Sequence, residues 1–285
     1  MDDRELLKTI QPLIGKTETA DDCAAYPLQN DMLLISSTDM LHETTDFPKG
    51  MSEYQMGWMS VAVSLSDVAS SGAKPVSVLV AAGLDKPERL KPFMEGACAC
   101  AESFGAKVSG GDIDSHTEFT VVTTAFGVVA KQNYCPRTGA KSGDVICVSG
   151  ILGRAQRALD GDDRYLPYLL TPKPQVSLGV SLAEHGATAM MDISDGLALS
   201  LWDLSEASGV ALEIDSSSLP LTGDDAYAFD CGVFGGGDFG LLFTMPENLT
   251  DFRCSEYTII GRVTKGKGVY FGGAELERRG FVHKW

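Results

Sequence analysis

The sequence predicts an α/β fold built as two domains, and three observations carry that reading. Compact apolar runs of strand length alternate along the chain with longer stretches of helical periodicity. No short-period repeat or low-complexity tract interrupts them. Around Pro136 the composition turns to Pro, Arg, Gly and Lys, and a new apolar run begins at Val145. The segment 131–143 is therefore the expected boundary, with domains at 1–135 and 136–285. At 285 residues and 44% hydrophobic content the chain is long enough to bury two cores.

The elements follow in order. Leu6, Leu7, Ile10, Leu13 and Ile14 recur at helical spacing until Gly15, and a polar loop then leads to Asp21-Asp22-Cys23-Ala24-Ala25. Residues 32–36 read as a buried strand with Ser37-Thr38-Asp39 at its end. Residues 57–69 read as a helix whose stripe holds Trp58, Val61, Ala62, Leu65 and Val68, and Gly72 stops it. Tyr54 and Trp58 on that stripe are expected in the core. A strand at 76–83, a helix at 87–104 and a brief strand at 106–109 come next, the last closing on Gly110-Gly111-Asp112. Residues 119–129 alternate β-branched and small side chains, as a longer strand does. The second half is expected to hold strands at 145–148, 188–191, 210–214, 240–244 and 257–263, and helices at 173–185, 196–208 and 222–229.

Lys plus Arg is 23 against 39 for Asp plus Glu, so 23 − 39 gives a net charge of −16. That field repels a polyphosphate backbone and argues against nucleic acid as a partner. It suits a chain that gathers hard cations, although solvated surface carboxylates give the same sum. The seven cysteines are scattered, without a CxxC pair or a secretory signal ahead of them, and read as reduced thiols of a cytoplasmic protein. The four histidines stand in no zinc-finger spacing. No apolar stretch reaches the roughly 18–20 residues of a membrane helix.

Candidate chemistry collects where apolar runs meet aspartate: Asp39, Asp112, and the pair Asp192 and Asp195. Any one of them is an ordinary turn or cap residue. Their recurrence, with Asp22 and Asp67, points to a site for several Mg²⁺ ions, with strand-end loops expected to bring the carboxylates into one crevice. Phosphoryl transfer suits such a cluster, because its transition state needs charge neutralisation and alignment more than covalent help. Gly110 and Gly111 would admit phosphate close to the backbone, and Ser194-Asp195-Gly196 would cap a helix N-terminus. Arg137 can grip phosphate, or be a solvated linker residue. No GxxxxGK[ST] loop and no HRD or DFG signature occurs, so nucleotide must be held another way.

Taken together, DDCAA (21–25), SSTDM (36–40), SLSDVASSGAKP (64–75), SGGD (109–112), PRTGAKSGD (136–144), MDISDGL (191–197) and GGGDFGLLFT (235–244) resemble the ordered motifs of the thiamine-monophosphate kinase family. The resemblance runs over nearly the whole chain. It implies the aminoimidazole ribonucleotide synthetase-like fold, with an N-terminal mixed sheet that joins a second copy into a barrel and a C-terminal αβ domain. It implies ATP and thiamine monophosphate as substrates, several Mg²⁺ ions, a homodimer and direct transfer of the γ-phosphoryl group. On the matching positions, Asp22, Ser37, Thr38, Asp39, Asp67, Asp112, Asp192 and Asp195 would bind metal. Asp39 and Asp112 would weigh most. Phe104, Gly111, Asp112, Arg137 and Ser194 would contact ATP.

The departures fall on the acceptor side. Asp46 stands where the bacterial pattern has histidine, and Gly237 and Gly240 replace two glutamates, which suggests an archaeal-type branch. The implied acceptor residues are Asp46, Gly237 and Arg278, with Phe281 or Trp285 as the aromatic if the alignment shifts. Two alternatives stay open: another ATP-using enzyme of the same superfamily, or a non-catalytic protein that binds ATP and Mg²⁺.

Overall fold

The computed structural model describes residues 3–249 and 256–283. Cys254 and Trp285 lie outside them. Among the described residues there are two sheets. The first has the order β1-β2-β5-β3-β4, from β1 (Ala24–Pro27), β2 (Met32–His42), β3 (Lys74–Leu84), β4 (Lys107–Ser115) and β5 (Thr120–Ala130). Its pairs are antiparallel except β3 with β4, so it is a mixed sheet. The second has the order β12-β11-β8-β10-β6-β9-β7, from β6 (Asp144–Ser149), β7 (Ala189–Ile193), β8 (Ala211–Ile214), β9 (Gly240–Pro246), β10 (Tyr257–Thr264), β11 (Gly268–Phe271) and β12 (Ala274–Glu275). The helices are α1 (Asp3–Ile14), α2 (Glu53–Ser70), α3 (Leu90–Ser103), α4 (Arg154–Leu159), α5 (Leu166–Leu170), α6 (Val176–Glu184), α7 (Leu197–Ser208) and α8 (Ala226–Phe234).

Helix α2 positions everything that matters for the site. It starts on a capping box between Ser52 and Gln55, which satisfies orphan amides at both ends of the box. It is apolar nearly all round, as a helix enclosed on every side must be. One side covers β2, β3 and β5, another packs on α3, and its C-terminal half reaches β7 and α6 of the second sheet's layer. The crossing with α3 is close because Gly57 and Gly96 face it. A Cβ on Gly57 would stand 1.9 Å from the Phe93 carbonyl oxygen, and one on Gly96 1.8 Å from that of Tyr54. Gly57→Ala is therefore expected to cost about 3 kcal/mol, measured by denaturant unfolding.

The first sheet is covered on one face only. Along β5 buried and half-buried residues alternate strictly, and the other face leaves Met40, Val76 and Leu79 exposed. Several expectations change here. The strand expected at 32–36 runs on to His42, so Asp39 lies inside β2. Gly110, Gly111 and Asp112 likewise lie inside β4, beyond a bulge that leaves Ser109 without a register partner on β3. A Cβ on Gly111 would meet the Val80 carbonyl oxygen at 1.6 Å, so only glycine fits beside β3. Tyr54 is exposed, because it sits on the first turn of α2, before the helix is enclosed. Trp58 is half-buried and donates its indole N–H to the Pro172 carbonyl at 2.8 Å.

Candidate active site

The site is assembled around the C-terminal half of α2. Asp67 projects from it, Asp22 comes from the segment before β1, and Asp192 from β7. Carboxylate oxygens of these three lie within 4.8 Å of one another. Ser37 and Asp39 share the α2-facing side of β2, since strand residues two apart point the same way. Ser37 Oγ donates to Asp67 at 2.5 Å.

Serines orient the carboxylates. Ser64 Oγ donates to Asp39 at 2.6 Å, Ser66 Oγ to Asp192 at 2.6 Å, and Ser70 Oγ to Asp22 at 3.4 Å. Ser64, Ser66 and Ser70 are themselves buried on α2. Buried hydroxyls in an apolar helix need partners, and here the partners are the acids of the cluster. Ser64 also meets the Thr123 hydroxyl at 2.7 Å, and Thr123 donates to the Ser60 carbonyl, which ties β5 into the same network.

The electrostatics are strained. Burial pushes the Asp67 carboxyl well above its ordinary range, and the charges of Asp39, Asp192 and Asp22 push it further. Asp192 is raised by burial and then by Asp22. Asp39 is pushed up to about 6, mainly by burial, with the Ser64 hydrogen bond pulling the other way. Asp21 is raised to about 6 by burial and by Asp22, against the pull of Arg137. Arg137 pairs with Asp22, and its backbone N–H donates to Asp21 at 3.1 Å. So many converging carboxylates, all oxygen donors, fit hard divalent cations.

A cleft of about 710 Å³ opens beside the cluster, between the two sheets' layers. Asp39, Asp46, Ser194, Asp195, Gly237 and Phe281 line it, and the Gly237 and Phe281 N–H groups donate to the Ser194 and Asp195 carbonyls at 2.7 and 3.0 Å. Asp46 Oδ2 accepts from the His42 N–H at 2.9 Å and from Thr45 Oγ1 at 2.8 Å, which braces the loop at the cleft wall. Gly196 forms the N-cap of α7 with a φ of +105°, so the cap residue itself brings no side chain to that helix end. Asp195 lies 3.7 Å from the Arg4 guanidinium of α1.

Other expected site residues lie elsewhere. Thr38 points to the opposite face of β2, where its hydroxyl meets that of Thr124 at 2.6 Å. Phe104 packs edge-on to Trp58, with ring centroids 6.3 Å apart. Arg278 lies on the outer side of α7, paired with Glu206 and stacked over Trp202. Gly111 and Asp112 are exposed on β4. The cross-strand rung runs Asp39, Thr123, Val80, Gly111, which is three strand spacings, or roughly 14 Å. The chain by itself thus separates Asp112 from Asp39.

A protein named thiamine-monophosphate kinase from Methanospirillum hungatei is 46% identical over 287 residues, covering 100% of both chains. The chain belongs to the thiamine-monophosphate kinase family. A relative of the same name from Archaeoglobus fulgidus is 36% identical, over 99% of this chain and 98% of its own. Residues 20–129 match the family described as AIR synthase related protein, N-terminal domain. A solved structure described as AaThiL complexed with AMPPCP and TMP superposes with a TM-score of 0.90 at 27% identity, over 99% of this chain and 97% of that one. Within one chain, the mixed α/β fold expected from the motifs is thus the fold observed.

Family motifs did not point to the serine donors. Their signal was present as Ser64, Ser66 and Ser70 around Asp67, polar groups in a helix too apolar to leave them unsatisfied. Ser66→Ala is expected to weaken divalent-cation binding roughly tenfold, read by calorimetric titration, with the fold unchanged.

Proposed function

We propose that the chain moves the γ-phosphoryl group of ATP onto the phosphate of thiamine monophosphate, giving thiamine diphosphate. The observation that carries this reading is the cluster of Asp22, Asp67 and Asp192, with carboxylate oxygens within 4.8 Å, at the edge of a cleft that Asp39 enters. Within the family to which the chain belongs, that pairing of acids and cleft supports an ATP side and an acceptor side.

Asp22, Asp39, Asp67 and Asp192, with Ser37 and Asp195, would hold Mg²⁺. The bound ions would neutralise phosphate oxygens and fix their alignment. Ser64, Ser66 and Ser70 keep the carboxylates in position, so little reorganisation is needed when substrates arrive. Arg137, held by Asp21 and Asp22, is ready to turn its guanidinium to a nucleotide phosphate. The attacking group is a phosphate oxygen already ionised at neutral pH, so no side chain has to remove a proton. Asp46, Gly237 and Phe281 would face the acceptor; Arg278, paired with Glu206, would not.

The protein acts as a homodimer in this proposal. The uncovered face with Met40, Val76 and Leu79 supports burial against a second copy, as does the open edge at β4. A second copy would also bring an Asp112, a Gly111 and a Phe104 towards a cluster that lacks them within one chain. We further propose a domain boundary at 131–143, supported by the strands on either side belonging to different sheets. Among the described residues no helix is long and apolar enough to cross a membrane. Among the described residues six cysteines are free thiols, which supports the cytoplasm as the site of action.

The test is product formation by purified protein from thiamine monophosphate, ATP and Mg²⁺, with free thiamine and no-acceptor controls. Thiamine diphosphate appearing only with the monophosphate is the expected result. ATP hydrolysis without it would overturn the acceptor, and nucleotide binding without turnover would overturn the enzyme reading.

A further inference from the structure

The loop 235–240 is glycine at four of its six positions: Gly235, Gly236, Gly237 and Gly240. Close backbone explains three of them. A Cβ would stand 2.4 Å from the Cys231 carbonyl oxygen at Gly235, 2.7 Å from that of Ser194 at Gly236, and 2.9 Å from that of Ser149 at Gly240. Gly237 has a φ of +90°. In the midst of this stands Phe239, with a φ of +49°. A bulky side chain rarely adopts that left-handed conformation, and glycine or asparagine would hold the same backbone at lower cost.

Phe239 is fastened in place. Its N–H donates to the Ile193 carbonyl at 3.0 Å, and the Gly237 N–H donates to that of Ser194 at 2.7 Å, which ties the loop to the end of β7. Asp238 accepts from the backbone N–H groups of Gly153 at 2.5 Å and Ala155 at 2.9 Å, which ties it to the start of α4. Gln156 and Leu159 of α4 line the same cleft. Although Phe239 belongs to the second sheet's layer, its ring packs into the core of the first. Its accessible edge lines the cleft beside Asp39, Phe47, Met59 and Val63. Strained residues persist where their surroundings over-determine them, and they gather at ligand sites.

We propose that Phe239 is a specificity-determining residue of the acceptor site, its ring forming the wall against which the flat heterocycle of the acceptor lies, with Asp238 positioning it. The inference rests on the proposed reaction and adds two residues that the family resemblance did not assign. An aromatic wall suits a planar cationic ring, through stacking and through the attraction of a cation to the ring's π-face.

The experiment is steady-state kinetics of Phe239→Leu and Phe239→Tyr with thiamine monophosphate and ATP varied separately, with calorimetric binding of each substrate alongside. Phe239→Leu should raise the acceptor KM roughly tenfold, the scale of an aromatic contact, and leave the KM for ATP unchanged. Phe239→Tyr should restore the acceptor KM. If leucine prevents folding, Phe239→Met, unbranched and close in volume, takes its place. An unmoved acceptor KM in the folded variant, or equal changes for both substrates, would overturn the assignment while the proposed function stood. A wild-type chain that neither binds nor phosphorylates thiamine monophosphate would overturn both.

Discussion

Asp67→Asn is expected to lower turnover by about a thousandfold or more at saturating Mg²⁺, and to leave the metal-free protein at least as stable as before. A thousandfold corresponds to about 4 kcal/mol of transition-state stabilisation, within the range a metal-held phosphate supplies. The stability half follows from the charges. Asp67 faces Asp39, Asp192 and Asp22, and burial has already driven its carboxyl well above the usual range. Replacing it with a neutral amide of the same shape removes that repulsion. The amide oxygen can still accept from Ser37, which now donates to Asp67 at 2.5 Å. A loss of activity accompanied by a fall in metal-free Tm would mean that Asp67 serves the fold. Wild-type turnover would remove the cluster from the reaction altogether. The opposite movement of the two quantities is what separates a metal site from a structural acid.

That contrast was partly legible in the sequence. Strong periodicity carries over into structure: α2, β5 and α7 lie within a few residues of their expected ranges. Short elements do not announce themselves. Strand β1 has four exposed residues at a sheet edge, α4 and α5 have six and five residues, and β11 and β12 are shorter than a reliable alternation pattern. Asp39 and Asp112 look like strand ends in the sequence because an apolar run stops there. A strand with one open face continues through polar residues, and β2 and β4 both do. The consequence is functional. Asp39, Asp67 and Asp192 are held on strands and a buried helix while Asp22 comes from the bend before β1, and Ser64, Ser66 and Ser70 could become their donors only because α2 crosses the sheet at that point. Spacing alone could not reveal that Ser66 and Asp192, 126 residues apart, share a hydrogen bond.

The metal-free protein is expected to lose stability as pH rises from about 4 through 6 and beyond, and Mg²⁺ is expected to reverse that slope. Asp39 and Asp21 each have a folded-state pKa of about 6 against an ordinary value of 3.8. Between those values the native chain keeps protons that the unfolded chain has released. Stability is then fully present below the unfolded value and is lost as pH climbs through the folded one. A tenfold difference in proton affinity between the folded and unfolded chain is worth about 1.4 kcal/mol, so these carboxyls weigh heavily against the few kcal/mol by which domains are stable. Asp67 and Asp192, raised further by burial and by their like-charged neighbours, extend the decline above pH 6. Cations bind the deprotonated carboxylates, so loading the site at pH 6 must expel protons, and apparent Mg²⁺ affinity should climb with pH over the same window. Calorimetric titration of Mg²⁺ in two buffers of different ionisation enthalpy reads the proton count directly. A heat independent of buffer, with thermal stability flat between pH 4 and 7, would mean that the acids are ionised before the metal arrives. Proton release would instead identify the serine-held carboxylates as a site kept protonated until cations and nucleotide take the protons' place.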